Sequence, residues 1–414
     1  MIGVPLKNVV FITLAGWALA AVATAAEVRH LTPNEAAALA VTTHPALTDA
    51  RRVAAAERLA ARLLPNPNVT ASHEQVVGSQ KDLRNDAYFV GIEWEITRLI
   101  TRGPTLRFAE ATYAAAGLKA AWDEFQIENT ARLEVVKTVI AERAVAVAVE
   151  AQKNLTVNAA QIRAAGTSET EMISAAADAA ARQSDVTRLE NERALLDERL
   201  ALNIAVGLPP EVAIVPVADL TTLRSAPLPT VEVAVAAVEK HRPDLLALAL
   251  GKTSQDAKLR AAILGRFPAV TLGVQQGRDT GNIETRGVTL TFSLPIFDRG
   301  QGAIATATAT RQQLANEYTL RLAVAQNDVA KALADMRLIR LQLTATEKAL
   351  AARVRLSNAL ETAYRSAGME SATVYTARND VTTSRSDLLK LETALAEAAS
   401  ALALATGTDF FRAP

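Results

Sequence analysis

Two aspartates occupy matching positions. Asp178 lies 12 residues past Gly166, and Asp380 lies 12 residues past Gly368. Carboxylates brought to one level from several copies of a chain would form a ring that favours cations and can hold an aperture by hydrogen bonds. Glu169 and Glu370 stand beside the same glycines and offer the same chemistry one step nearer. Solvated charges on an outer helix face would read the same way in sequence, so both readings stand at this point.

Bond-making chemistry has no comparable footing. There is no glycine-rich phosphate loop, no HExxH and no Ser/His/Asp grouping. His30, His44, His73 and His241 are scattered and share no helical ligand spacing, so neither a resident metal nor a cofactor is expected. The absence of cysteine excludes disulfides, thiolate metal sites and an N-terminal lipidated cysteine. Lys and Arg number 44 and Asp and Glu number 44, which lacks the basic excess that nucleic acid requires.

What would position the acidic residues is a chain written twice. His44-Pro45-Ala46-Leu47 matches Arg242-Pro243-Asp244-Leu245, and Pro67-Asn68-Val69-Thr70 matches Pro268-Ala269-Val270-Thr271. Thr101-Arg102-Gly103 matches Asp298-Arg299-Gly300, Ala165-Gly166 matches Ala367-Gly368, and Ala205-Val206-Gly207 matches Ala405-Thr406-Gly407. The offsets are 198, 201, 197, 202 and 200. Their near-constancy marks a doubled domain, with copies far longer than solenoid repeats.

The first copy, 27–207, reads as a helix over 33–64, strands over about 67–77 and 86–97, and long helices over 103–165 and 168–206. The second copy, 232–414, repeats the plan at 232–264, 268–276, 286–297, 301–366 and 370–406. Residues 208–231 form a proline-rich linker. Gly166 and Gly368 suit the ends of long helices, where a positive φ is favoured. Ser168 and Glu171 make a capping box for the returning helix. Residues 103–165 alone would span about 95 Å at about 1.5 Å per residue.

Ala325, Val329, Ala332, Met336, Ile339, Leu343, Thr346 and Leu350 follow a 4-3 heptad spacing. Leu338, Leu341, Ala345 and Ala349 make a second stripe on another face. A helix with two seams can pack a neighbour on each side, as a wall of helices closed into a cylinder requires. An antiparallel coiled-coil hairpin would need one seam.

The stretch VTLTFSLPIFDRGQG over 288–302 alternates apolar with small polar residues before a turn signal. In the first copy Tyr88, Val90, Ile92, Trp94 and Ile96 form the apolar face, with Glu93 and Glu95 opposite. Strands of about ten alternating residues fit an outer-membrane barrel. Four strands cannot close one, and open edges are not tolerated in lipid. Several chains must therefore share a barrel; three would supply twelve strands. A small soluble sheet packed on helices is the competing reading.

The N-terminus reads as a secretory signal peptide over residues 1–26. Lys7 precedes the apolar run from Val9 to Ala23, and Ala23-Thr24-Ala25 is a small-residue cleavage site, placing cleavage near Ala25 or Ala26. After it no apolar stretch is long enough for a spanning helix.

The doubled plan, the LPNPNV stretch (64–69), the SLPIFDRGQ turn (293–301) and the tips IRAAGTSETE (162–171) and AYRSAGMES (363–371) resemble the TolC family of outer-membrane efflux ducts over essentially the whole mature chain. The PNP element is most similar to the heavy-metal branch of cobalt-zinc-cadmium type. The resemblance implies a mainly α protein: a long-helix α-barrel in the periplasm, with four β-strands per chain contributing to a shared trimeric transmembrane β-barrel. It implies a homotrimer in the outer membrane of a Gram-negative bacterium, working with a periplasmic adaptor (membrane fusion protein) and an inner-membrane transporter of RND type. The tips, Ala165, Gly166, Thr167, Ser168, Ala367, Gly368 and Met369, would be the adaptor-docking surface and pore entrance. The expected cargo is metal cations or small toxic compounds. The family's usual aperture aspartates lie closer to the second tip glycine, where this sequence has Val374 and Ala377, so that role does not carry over there. Two alternatives are a type I protein secretion duct of the same fold and a soluble periplasmic coiled-coil adaptor. The adaptor predicts one hairpin, whereas this chain has two.

Overall fold

The computed structural model describes residues 29–44, 46–75, 77, 86–165, 170–367 and 371–409. The signal peptide expected over 1–26 lies outside them.

Each repeat opens the same way. β1 (Arg29–Leu31) leads to α1 (Pro33–Thr43), where Thr32 and Glu35 form a reciprocal capping box. In the second repeat Thr230 caps α6 (Val231–His241) by accepting from Val233 N at 3.4 Å. The helices expected over 33–64 and 232–264 are each two helices. α2 (Ala46–Arg62) follows α1, and α7 (Pro243–Leu264) follows α6. The reason is the proline. His44 (φ −84°, ψ 106°) and Arg242 (φ −83°, ψ 108°) both take the extended backbone that a following proline imposes.

Two long hairpins follow: α3 (Thr97–Ala165) with α4 (Thr170–Ala205), and α8 (Gln301–Ala367) with α9 (Ser371–Thr406). α3 has 69 residues, about 104 Å at about 1.5 Å per residue. Toward the hairpin tips the helices lie in the order α4, α3, α9, α8; toward the sheet the order is α2, α3, α7, α8. α8 is thus one flank of the layer, and α2 and α4 form the other. The heptad seam of α8 is buried at Ala325, Val329, Ala332, Met336 and Leu343, packed on Leu395, Ala399 and Leu402 of α9 and Val238 of α6. Its second stripe, with Leu338 and Leu341, faces out and is exposed.

The segment between repeats is a strap. β4 (Ile214–Pro216) pairs in parallel with β1, and α5 (Thr221–Ser225) buries Leu223 against the helices. Arg340 on α8 donates to the carbonyls of Leu223 and Ala226 at 2.6 and 2.7 Å. Arg224 reaches Glu347 of α8 and Glu392 of α9.

Gly207 and Gly407 end the returning helices with φ +69° and +71°. Thr43 Oγ1 donates to the Val206 carbonyl at 2.7 Å, closing the first repeat. At Gly407 a Cβ would stand 2.7 Å from the His241 carbonyl, so the second repeat closes by close backbone approach.

β2 (Asn68–Glu74), β3 (Ala87–Glu95), β5 (Val270–Arg278) and β6 (Glu284–Phe292) form one antiparallel sheet in the order β2-β3-β5-β6. On one face Ile92 lies opposite Val69 and Val274, Val274 opposite Val288, and Leu272 opposite Trp94 and Leu290. On the other face Glu93 lies opposite Asn68 and Gly273, and Gly273 opposite Thr289. The apolar face is exposed: Val69 is 72 % and Val288 74 % accessible. Leaving such side chains in water forgoes about 1.5–3 kcal/mol each. The band as a whole forgoes on the order of 10 kcal/mol, comparable to the stability of a domain. A single chain in water does not satisfy it.

Two boundaries differ from expectation by five or six residues. β6 stops at Phe292, because Ser293 N still reaches Ala269 O at 3.2 Å but Pro295 has no amide for the ladder. α3 starts at Thr97 rather than 103. The Thr97 hydroxyl accepts from Val270 N at 2.6 Å and donates to Pro268 O at 3.1 Å, fixing the helix start beneath β5. Thr101-Arg102-Gly103 therefore lies within a helix that continues through Pro104, whereas its counterpart Asp298-Arg299-Gly300 is a turn with Gly300 at φ +73°.

Candidate functional site

The tip turns that sequence singled out, Gly166, Thr167, Ser168, Glu169, Gly368, Met369 and Glu370, lie outside the described residues. Ala165 and Ala367 are the last residues of α3 and α8. The described residues near them are those of the helices leading to the tips.

The structure treats the two matched aspartates differently. Asp178 on α4 is ion-paired across the first hairpin with Arg163 of α3. Asp380 on α9 is exposed; its backbone carbonyl accepts from Ser384 Oγ at 2.7 Å, and its carboxylate has no partner among the described residues. Val374 and Ala377 are buried, so they pack between helices instead of lining an opening.

Sequence reasoning missed a polar chain across the second hairpin. Tyr375 of α9 donates its hydroxyl to Gln161 Oε1 of α3. Its ring lies 5.6 Å from the Arg378 guanidinium. Arg378 pairs with Glu361 of α8 at 2.9 Å, and Arg365 reaches the same carboxylate at 2.5 Å. Higher up, Arg385 of α9 pairs with Glu150 of α3 at 2.6 Å. Arg353 of α8 donates to Ser384 of α9. α9 is thereby tied to both neighbours, α3 and α8. The i,i+3 pair Tyr375/Arg378 and the i,i+4 pair Glu361/Arg365 were visible in sequence as facing neighbours, but their partners on other helices were not.

Electrostatics follow these contacts. Arg378, with Arg365, holds the Glu361 carboxyl below its ordinary value. Burial pushes the Tyr375 phenol up. In the first hairpin, burial and the neighbouring Glu198 raise Glu134. Lys137 sits between these two carboxylates at 3.3 and 2.9 Å, and their hydrogen bonds outweigh its burial and raise it.

The arrangement ties α9 to its neighbours; among the described residues it brings no reacting groups together. Residues 235–408 match the family model described as outer membrane efflux protein. No curated protein matches the chain. Among solved structures, a membrane protein from Pseudomonas aeruginosa superposes with a TM-score of 0.75 at 18% identity, covering 91% of this chain and 92% of that one. CusC, whose structures are described as bearing on folding and transmembrane channel formation, gives 0.74 at 16%, covering 91% and 92%. The open state of the Neisseria gonorrhoeae MtrE outer membrane channel gives 0.73 at 18%, covering 91% and 89%. At these identities the likeness establishes the fold: long helices of an α-barrel and barrel strands, in two repeated halves.

Proposed function

We propose, from the premise that this chain belongs to the outer membrane efflux protein family through its second repeat, that it is one protomer of a passive outer-membrane export duct. Three copies form the duct. Their twelve strands close a barrel through the outer membrane, and their helices form a periplasmic cylinder. The observation that carries this reading is the sheet. It has an exposed apolar band on one face, small polar residues on the other, and unpaired edges at β2 and β6. A barrel of several chains satisfies all three at once, because it pairs the edges, puts the band in lipid and the polar face in the lumen.

The helical flanks support the same assembly. α8 exposes Leu320, Leu338 and Leu341 on one side of the layer, and α4 exposes Leu189, Leu196 and Leu200 on the other. Each stripe is the kind of partner the other lacks.

Energy for transport comes from an inner-membrane pump of RND type, joined through a periplasmic adaptor at the helix tips. The tips open when helices shear past one another and the Gln161–Tyr375 and Glu361–Arg378 contacts part. Asp178 and Asp380 bias the passage toward cations, Asp380 more strongly because its carboxylate is free. The cargo is metal cations or small toxic compounds, the PNP segment at 65–67 favouring the metal branch.

Membrane fractionation followed by mass in detergent tests the assembly. A trimer in the outer-membrane fraction is expected. A monomer or dimer free in the periplasm would overturn the barrel and leave the soluble coiled-coil alternative. For cargo, deletion should sensitise cells to zinc or cobalt; loss of one secreted polypeptide with unchanged metal tolerance would replace this with a protein-secretion duct.

A further inference from the structure

The end of the sheet nearest the helices carries a groove that the duct reading does not use. It measures about 560 Å³ and lies where the β6–α8 turn rests on the end of α7. Ile263, Phe267, Leu294 and Ile296 give it an exposed apolar wall, and Arg266 and Arg299 stand at its border. We propose that this groove binds an anionic phospholipid from the periplasmic leaflet of the membrane, with its phosphate on the two guanidiniums and its acyl chains along the apolar wall. The proposal rests on the sheet being membrane-inserted.

Three observations select this occupant. First, the wall continues the membrane-facing stripe. Val288, Leu290, Phe292, Leu294 and Ile296 keep one alternation through and beyond the strand end, so an acyl chain lying on the band runs directly into the groove. Second, the charge is uncommitted. Neither Arg266 nor Arg299 has an acidic partner among the described residues. The one carboxylate in the turn, Asp298, is occupied in accepting from Gly300 N at 2.8 Å. Guanidinium forks match phosphate oxygens bidentately. α8 begins at Gln301, so its partly positive end adds to the same field. Third, the turn is pinned. Gly300 has φ +73°, and a Cβ there would lie 3.7 Å from Arg266 Cγ, so the turn seats against α7 and brings both arginines to one groove. The equivalent place in the first repeat is also a groove, of about 470 Å³, but its arginines are committed, Arg98 pairing with Glu95 at 3.0 Å. Arg102, the counterpart of Arg299, lies inside α3 and donates to the Arg62 carbonyl at 3.1 Å. Among the described residues the uncommitted arginine pair therefore belongs to the second repeat's groove and not to its counterpart.

A plainer role for Arg266 is to sit past the C-terminal end of α7 and complement its dipole, which requires no lipid. The experiment separates the two. The detergent-solubilised assembly, stripped of lipid, is titrated with phosphatidylglycerol or phosphatidylcholine and followed by native mass spectrometry and thermal unfolding. Wild type is expected to retain phosphatidylglycerol about tenfold better than phosphatidylcholine, a preference of about 1.4 kcal/mol. It should also unfold several degrees higher with the anionic lipid. Arg266→Gln with Arg299→Gln should abolish the preference while assembly mass stays unchanged, and Arg266→Lys with Arg299→Lys should keep part of it. Equal retention of both lipids by wild type would overturn the proposal without recourse to any variant, as would a glutamine variant that keeps the preference. Failure of the sheet reading shows itself separately: the protein would then be recovered without detergent before any lipid is added.

Discussion

The two hairpins share a plan and differ in how they are fastened. In the first, the polar links run between its own two helices: Arg163 to Asp178, Gln152 to Asp185, Arg199 to Glu142 and Lys137 to Glu198. In the second, α9 is also bound outward to α3, through Tyr375–Gln161 and Arg385–Glu150. The returning helix of the first hairpin, α4, is tied by these links to α3, whereas that of the second, α9, is tied to α8 and also to α3. Duplication supplied two equal arms; side chains of α9 that reach across to α3 distinguish the second, and the proposed opening makes it the moving part.

The largest expected effect breaks that difference. Tyr375→Phe combined with Arg385→Ala removes the two outward links nearest the tips and leaves Arg143–Glu392 and Asn129–Ser400 in place. At about 0.5–1.5 kcal/mol for each contact, the open population should rise about tenfold or more, read as single-channel conductance in planar bilayers. Removing Arg163 and Gln152 side chains in the first hairpin should leave conductance near wild type. Equal gains from both double variants would end the assignment of the second hairpin as the moving arm.

Next come the repeat-closing glycines. Gly407→Ala would force a Cβ against backbone at positive φ, costing about 1–3 kcal/mol. Gly207→Ala meets Thr43 Oγ1, a side-chain atom at 2.6 Å that can turn away while losing its bond to Val206. Thermal unfolding should therefore rank Gly407→Ala as the more damaging; the reverse order would mean that the carbonyl of His241 yields more readily than a hydroxyl.

Acid should act on the two arms in opposite senses. Glu361 has a depressed pKa, so its link to Arg378 is present above the ordinary Glu value of 4.5 and is lost as pH falls through the lower folded value. Glu134 has a raised pKa, so its contribution is present below 4.5 and is lost as pH rises through the folded value. Conductance should climb as pH drops below about 4.5, and Glu361→Gln should flatten that climb. Glu134→Gln should instead remove a loss of thermal stability seen on raising the pH. A pH response carried by neither variant would place the titrating group elsewhere.

The smallest effect separates the matched aspartates. Asp380→Asn should lower cation preference in a salt-gradient reversal potential, while Asp178→Asn, whose charge is already paired with Arg163 in a partly exposed ion pair of about 0–1 kcal/mol, should lower it less.

Much of this architecture was legible in the sequence, because it rests on period and duplication. The heptad seam of α8 and the alternation of β3 and β6 follow from side-chain geometry along one element. The landmarks that paired His44-Pro45 with Arg242-Pro243 mark the bend that splits each first helix, yet the split itself was read through. Sequence pattern puts the start of α3 too late because Thr97 is fixed by Val270 and Pro268, partners 173 and 171 residues away. The same holds at the site. Asp178 and Asp380 were found by equal spacing from their glycines, but the Arg163 partner of one and the freedom of the other depend on which helix lies alongside. Gln161 carries no signal of its own, and Tyr375 and Glu361 show only their neighbours on the same helix, since their links to other helices have meaning only across an interface.

The unpaired strands at either end of the four-stranded sheet bear on biogenesis. A lone chain offered to the membrane would carry bare amide and carbonyl rows into hydrocarbon at β2 and at β6, each unpaired group costing several kcal/mol. Insertion of single chains followed by their meeting in the bilayer is therefore the expensive order of events. In the proposed trimer, subunits would find one another first, or enter together, and a cell making too few copies would accumulate periplasmic chains with adhesive rims instead of narrow pores.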